Sequence, residues 1–256
     1  MKNKIDNFLI ENQGFIVHSL HKSGTMFLHK FFKDLSIEKR IKYFSRNNNP
    51  PDYQHLKQDT NIDFCLCPER NFNLEEYIFK NVKNITHIIQ IRDPRDILVS
   101  EYFSLGWTHP DSQWSQERKK LRKWVQENSI DTYVVEASEK LFTFGDQPLK
   151  TRYQPLLNLS TLENRKIIIV KYEEMVTNYS SWLSKIIKSF QFNQLVASFL
   201  IQKYYMKYHR EFKPRAENLV HKRKIIPGDH SNKLRPETIE QLNSIFQEIL
   251  SKFNYF

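Results

Sequence analysis

GFIVHSLHKSGTMFLHKFF, residues 14–32, decides the reading of this chain. The short apolar run Phe15-Ile16-Val17 breaks into a small basic turn, His21-Lys22-Ser23-Gly24-Thr25, and a stretch patterned as an amphipathic helix follows at once. A helix start of this kind presents backbone N–H groups and the positive end of the helix dipole, which suits a phosphate. Gly24 lets the backbone approach a ligand closely, Ser23 and Thr25 offer hydroxyl donors, and Lys22 adds a mobile point charge. The plainer alternative is an N-cap and nothing more. An ordinary ATPase loop does not fit, because in GxxxxGK[ST] the lysine follows its glycine and here it precedes it.

Two more apolar runs end in the same way. Ile88-Ile89-Gln90-Ile91 leads into Arg92-Asp93-Pro94-Arg95, and Ile167-Ile168-Ile169-Val170 into Lys171-Tyr172-Glu173-Glu174. Short β-branched runs between polar flanks predict buried parallel strands. Helical patterns lie between them. Ile97, Leu98, Tyr102 and Leu105 mark one over 96–105, and Trp182, Ile186, Ile187 and Phe190 another over 179–190. Behind Pro236, the residues Ile239, Leu242, Ile245, Phe246, Ile249 and Phe253 form a single stripe. The alternation predicts an α/β fold with a mostly parallel sheet, as one domain over residues 1–256. Residues 45–60 read as a loop or lid.

Ligands of open parallel sheets gather beyond the carboxyl ends of the strands, so the three polar clusters can converge on one ligand. Arg92 ends its strand and Ser100 follows eight residues later, about two helical turns away. Together they can pinch one anionic group. Alternatively, Arg92 pairs with Asp93 or Asp96 in a surface network.

The chain carries 39 Lys and Arg against 29 Asp and Glu, a net charge of +10 that favours anionic partners. Nucleic acid, an anionic membrane surface, and phosphorylated or sulfated small molecules all qualify. The densest basic runs, 117–123 and 221–224, are short, and the first reads as a solvated helix face. No apolar run approaches the roughly 18 residues of a membrane span. The opening MKNKIDNFLIENQG lacks an apolar signal core, which predicts a cytoplasmic protein. Cys65 and Cys67 are expected on opposite faces of an extended segment, as free thiols. With no second Cys pair and no His pair at ligand spacing, no metal is expected.

Lys22-Ser23-Gly24-Thr25, followed by Arg92 and Ser100 within IRDPRDILVSEYF, resembles the two cofactor-phosphate motifs of the sulfotransferases that use 3′-phosphoadenosine 5′-phosphosulfate (PAPS). KYEEM at 171–175 is similar to the family's YEDM strand end, and RKIIPGDHSN at 223–232 to its RKG…GDWKN loop. The four segments occur in order from about residue 15 to residue 232. RDPRDILVSEYFSLGWTHP and PGDHSNKL look most like the bacterial, cyanobacterial-type small-molecule branch. The resemblance implies a P-loop-like three-layer α/β/α fold, PAPS as cofactor with no metal, and a small-molecule acceptor. Nucleic acid and membrane are not implied as partners.

The resemblance also implies roles. Lys22 would neutralise the leaving group, and Ser23, Gly24 and Thr25 would cradle the 5′-phosphate. At Met26, where the family has a second threonine, only the backbone can help. Arg92 and Ser100, joined by Arg223 and Lys224, would hold the 3′-phosphate; Tyr172 would approach the adenine and Phe27 stack on it. Where many members carry a catalytic histidine in THLP, this chain has Cys65-Leu66-Cys67-Pro68, with Leu66 at the histidine's place. Glu69, on the same expected loop, is the first candidate base and His109 the second, ahead of His55 and His21. The family's dimer motif KxxxTVxxxE, laid on 231–240, matches only at Glu240. Tyr43, Phe44, Trp107 and Trp114 are candidate linings of the acceptor pocket. The acceptor itself would offer a hydroxyl or an amine or guanidine nitrogen, as in a saxitoxin-type natural product. A nucleotide kinase-like P-loop protein and a non-catalytic nucleotide- or nucleic-acid-binding relative are the competing readings.

Overall fold

The computed structural model describes residues 12–45, 62–72, 74, 84–108, 114–140, 147–161, 166–212 and 225–256. The expected loop beyond Ser45 lies outside them, as do His55, His109, Arg223 and Lys224. Among the described residues, five strands form one sheet in which every pairing is parallel. These are β1 (Gln13–Ser19), β2 (Lys42–Phe44), β3 (Phe64–Glu69), β4 (Asn84–Ile91) and β5 (Lys166–Lys171), in the order β2-β3-β1-β4-β5. The three runs singled out in the sequence are thus the neighbouring strands β1, β4 and β5, and their polar ends share one edge of the sheet.

Strand side chains alternate between the faces, and each face has its own helical layer. Phe15, Val17, Cys65, Cys67, Ile88 and Val170 pack against α1 (Thr25–Lys39), α7 (Tyr179–Ser189) and α8 (Gln194–Tyr208). Leu20, Ile89 and Ile91 pack against α2 (Pro94–Phe103), α4 (Ile130–Glu139), α10 (Pro236–Ile245) and α11 (Gln247–Lys252). The three-layer α/β/α arrangement is the expected one. Leu66 is sealed with Ile16, Phe44 and Phe64 in a smaller cluster.

Several details depart from expectation. Cys65 and Cys67 share one face, because a strand returns to the same side every second residue; both are free and buried. β5 is an edge strand, so Ile169 is 38% exposed rather than buried. The C-terminal stripe is split at Phe246, whose φ of −103° and ψ of 13° interrupt helical geometry, yet Leu242, Phe246 and Ile249 still enter one core. α2 starts two residues earlier than the periodicity shows. Pro94 takes its first position and Asp93 caps it, accepting from the Arg95 N–H at 2.9 Å.

Phe15 and Phe190 join β1 to the end of α7 as stacked rings with centroids 4.0 Å apart. Both are buried. Phe190→Ala is expected to lower unfolding free energy by about 3–5 kcal/mol in urea titration, the usual cost of removing a buried aromatic ring.

Candidate active site

The turn after β1 is shaped from beneath. Lys22 (φ 67°) and Gly24 (φ 80°) both take left-handed conformations, unusual for a lysine and easy for a glycine. The Ser23 carbonyl accepts from Gln90 Nε2 at 2.6 Å, and Gln90 Oε1 accepts from Trp182 Nε1 at 3.0 Å. The Lys22 carbonyl accepts from Arg92 Nη1 at 2.5 Å. Two successive carbonyls are therefore drawn inward. In a planar trans peptide the next N–H points the opposite way, so the Gly24 N–H faces away from Gln90. α1 then begins at Gly24 without a side-chain cap, leaving its first-turn N–H groups for another acceptor. A Cβ on Gly24 would stand 2.9 Å from Met175 Cε and 3.4 Å from Tyr172 Cδ2. KYEEM thus packs directly under the turn.

Arg92 is buried at the end of β4. Besides the Lys22 carbonyl, it reaches Asp96 Oδ2 at 3.9 Å and lies over the Tyr172 ring at 4.3 Å. Its own carbonyl accepts from the Tyr153 hydroxyl at 2.5 Å. Asp93 is not its partner. That carboxylate pairs with Arg95 at 2.7 Å, while Arg95 also donates to Asn243 Oδ1 and the Tyr255 carbonyl. The Asp93 N–H donates to Glu173 Oε1, whose other oxygen accepts from the Tyr255 hydroxyl. Ser100 is half-buried further along α2.

Asp96 ties in the segment that follows the second basic run. It accepts from the Gly228 N–H at 2.7 Å, the His230 N–H at 3.0 Å and His230 Nδ1 at 2.8 Å. Burial alone would raise its carboxyl, but the His230 hydrogen bonds and the Arg92 charge hold it down at about 2. Ile225, the first described residue after Arg223 and Lys224, packs against the core beneath α1.

The remaining expected residues fall as follows. Thr25 is half-buried and Met26 is 58% exposed at the open end of α1. Phe27 is half-buried, edge-on to Phe212 at 4.7 Å and Tyr208 at 5.4 Å. Tyr172 is buried between Gly24 and Arg92, where it supports both. Glu69 is the last residue of β3 rather than part of a loop, and only 1% exposed. Tyr43 and Phe44 are structural: the Tyr43 hydroxyl donates to the Cys67 carbonyl at 2.8 Å, and Phe44 is core. Trp107 is half-exposed, and Trp114 lies under the guanidinium groups of Arg118 and Arg122 at 4.7 and 5.4 Å. The basic run at 117–123, on α3 (Gln116–Glu127), is therefore not a wholly solvated face.

Sequence reasoning passed over Gln90 and His18, each a lone polar residue in an apolar strand run. His18 Nδ1 is 3.0 Å from the Asn71 carbonyl, and His18 Nε2 is 3.0 Å from His87 Nδ1. A carbonyl only accepts, so His18 donates to it from Nδ1. The pair fastens the chain after β3 to β1 and β4.

The sequence matches the sulfotransferase domain family model over residues 12–254. The chain belongs to that family. Its structure is similar to mouse sulfotransferase SULT7A1 complexed with PAP (adenosine 3′,5′-bisphosphate), with a TM-score of 0.62 and 16% identity over 93% of this chain and 84% of that one. Two retinol dehydratase structures are also similar, one with androsterone and inactive cofactor PAP, the other with retinol and PAP. Their TM-scores are 0.51 and 0.52 at 13% identity, over 93% of this chain and 80% and 81% of theirs. No curated protein sequence matches. Among the described residues, no helix is long and apolar enough to cross a membrane, and no three His, Cys, Asp or Glu side chains are grouped to hold a metal ion.

The lowered Asp96 value gives a pH prediction. A depressed carboxyl stabilises the fold above its ordinary value of about 3.8, and that contribution is lost as pH falls through about 2. The gap corresponds to about 2–3 kcal/mol. The difference in unfolding free energy between the parent and Asp96→Asn, followed in urea, should shrink by that amount between pH 5 and pH 2.

Proposed function

We propose that this sulfotransferase-family chain moves a sulfuryl group from PAPS to a hydroxyl or nitrogen of a small-molecule acceptor. The observation that carries the reading is the 2.5 Å hydrogen bond from Arg92 to the Lys22 carbonyl. It places a buried cation beside an uncapped helix start, so two anion-binding positions adjoin one turn. A cofactor with a 5′-phosphate and a separate 3′-phosphate needs two such positions; ADP and AMP need one. The fit extends to Ser23, whose hydroxyl is buried without a hydrogen-bond partner among the described residues. The PAP complexes among the similar structures agree with this reading.

In this reading the Gly24 N–H, the first turn of α1, Ser23 and Thr25 hold the 5′-phosphate, with Met26 contributing backbone alone. Arg92 and Ser100 hold the 3′-phosphate with Arg223 and Lys224. Phe27 offers a ring face to the adenine. Tyr172 keeps the Arg92 guanidinium in place below it. Bound PAPS supplies the activated sulfuryl group. Lys22 neutralises negative charge on the departing phosphate, since such transfers depend on positioning and charge stabilisation more than on covalent work by the protein. Glu69 or His109 takes the acceptor proton. The wording of RDPRDILVSEYFSLGWTHP supports the bacterial natural-product branch, and the lack of an apolar signal core in MKNKIDNFLIENQG supports a cytoplasmic setting.

A thermal-shift comparison tests the donor assignment. At about 100 times its Kd, PAP should raise Tm by roughly 5–10 °C, well beyond ADP or AMP at the same concentration. Equal shifts would remove the second anion position. Lys22→Ala should depress kcat more than donor affinity, whereas Arg92→Ala should weaken PAP binding about 10–100-fold. The reverse ordering would exchange their roles. A loss of about 100-fold in turnover in Glu69→Gln or His109→Ala identifies the base, and near-normal turnover in both excludes both.

A further inference from the structure

Helix α8 packs one side into the core and turns an apolar row to the other. Inward, Leu200, Tyr204 and Tyr208 are buried, with the Phe31 ring of α1 at 5.4 Å from Tyr204 and 6.1 Å from Tyr208. Outward, Leu195 is 84% exposed, Phe199 61% and Met206 66%. Gln202, exposed as well, completes the row. The positions 195, 199, 202 and 206 follow the four-three-four step of a coiled-coil seam. Val196 and Tyr205 flank the row at 39% and 40% exposure. Five of the twelve large apolar or aromatic side chains exposed among the described residues therefore stand on this one helix. Single exposed apolar residues are ordinary, whereas a contiguous row marks a contact surface.

Charge and symmetry say what fits it. The chain has a formal net charge of +10, yet between Lys188 and Lys203 it has no Asp, Glu, Lys or Arg. Lys203 and Lys207 border the row, and α1 neutralises each of them. Lys203 Nζ lies 2.5 Å from Glu38 Oε1, and Lys207 Nζ lies 2.6 Å from Asp34 Oδ2. Two molecules of the same charge repel over most of their surfaces and can approach at a neutral face. An anionic membrane would instead be met by unpaired lysines on the polar flanks. A four-three-four row also reads the same in both directions. Two copies crossing antiparallel, with the two-fold axis between Leu200 and Ile201, bring Leu195 against the partner's Met206 and Phe199 against the partner's Gln202. In that register Lys203 falls beside the partner's Val196 and Ser198 beside the partner's Tyr205, so no like charges meet. Opposed helix dipoles favour the same direction.

We propose that α8 is a self-association face, through which two copies of this chain pair as an antiparallel, two-fold dimer centred on Leu195, Phe199, Gln202 and Met206. The face belongs to the layer of α1, α7 and α8. Residues 231–240, where the family's dimer motif keeps only Glu240, lie in the layer on the other side of the sheet. The pairing is therefore a different one. It does not depend on the sulfuryl-transfer reading, since none of its residues is assigned to donor or acceptor. Four layers of side chains make a small interface, so the association is weak and reversible.

Sedimentation equilibrium of the full chain over roughly 1–200 µM, the range of weak interfaces, provides the test. The mass should rise with concentration from 31.0 kDa towards twice that value. Leu195→Glu and Phe199→Glu should each raise the dimer dissociation constant at least about 10-fold, because a two-fold interface loses each contact twice. Both positions are exposed, so both variants should keep the Tm of the dilute parent. Mild oxidation of the double variant Leu195→Cys/Met206→Cys should trap a covalent dimer. Neither single variant should, since identical positions stand about 16 Å apart along the paired helices, and Cys65 and Cys67 are buried. A monomer at every concentration overturns the proposal. Such a monomer with a lowered Tm in Leu195→Glu would assign the face to a stretch of its own chain, and one that floats with phosphatidylserine vesicles through Leu195 would assign it to a membrane. A dimer that survives both glutamates, or that is trapped by the single cysteines and not by the pair, overturns it equally. The rise in Tm with PAP, followed alongside, bears on the donor reading alone.

Discussion

Two carbonyl oxygens, those of Lys22 and Ser23, govern what this molecule can do. Both are captured from one strand end: Gln90 holds one and Arg92 the other. Each hydrogen bond contributes only about 1–3 kcal/mol to stability, the larger figure applying to the charged donor. Their greater effect is directional. Peptide planarity converts an inward carbonyl into an outward N–H, so β4 aims the donors of the turn without touching a ligand. Gly24 completes the arrangement, since its missing Cβ is what allows Met175 and Tyr172 to close the floor.

Around those carbonyls the protein spends its buried polar groups on fixing one cation. Arg92 has an aromatic face beneath it, a carboxylate at 3.9 Å and a tyrosine hydroxyl on its own backbone. Asp96 in turn grips Gly228 and His230, and Asp93 is occupied by Arg95. Residues far apart in the chain therefore share one electrostatic unit. A cation fixed in this way would need little reorganisation to meet an anion.

Much of this was legible in the sequence because strand ends announce themselves. β-branched runs that break into KSGT, RDPRD and KYEE predicted three parallel strands whose polar ends lie together, and β1, β4 and β5 are those strands. The order of the strands was not legible, since periodicity says nothing about neighbours. Ile169 reads as core until β5 is seen to be an edge. Gln90 carried a signal, a polar residue in an isoleucine run, but its partners Ser23 and Trp182 are set only by tertiary packing. The arginines whose charges reach His21 come from three separate stretches, and no spacing rule joins them. Glu69 reads as loop and proves to be a buried strand residue, because β3 continues through Pro68 instead of ending before it.

The histidine pair has a consequence for how the strands on either side of β1 are joined. An imidazole that donates to the Asn71 carbonyl through Nδ1 has only Nε2 left for His87, so the two contacts are made at opposite edges of one ring. The three strands that frame the Lys22 turn are thus latched through one ring, and a side chain lacking either nitrogen would release one of them.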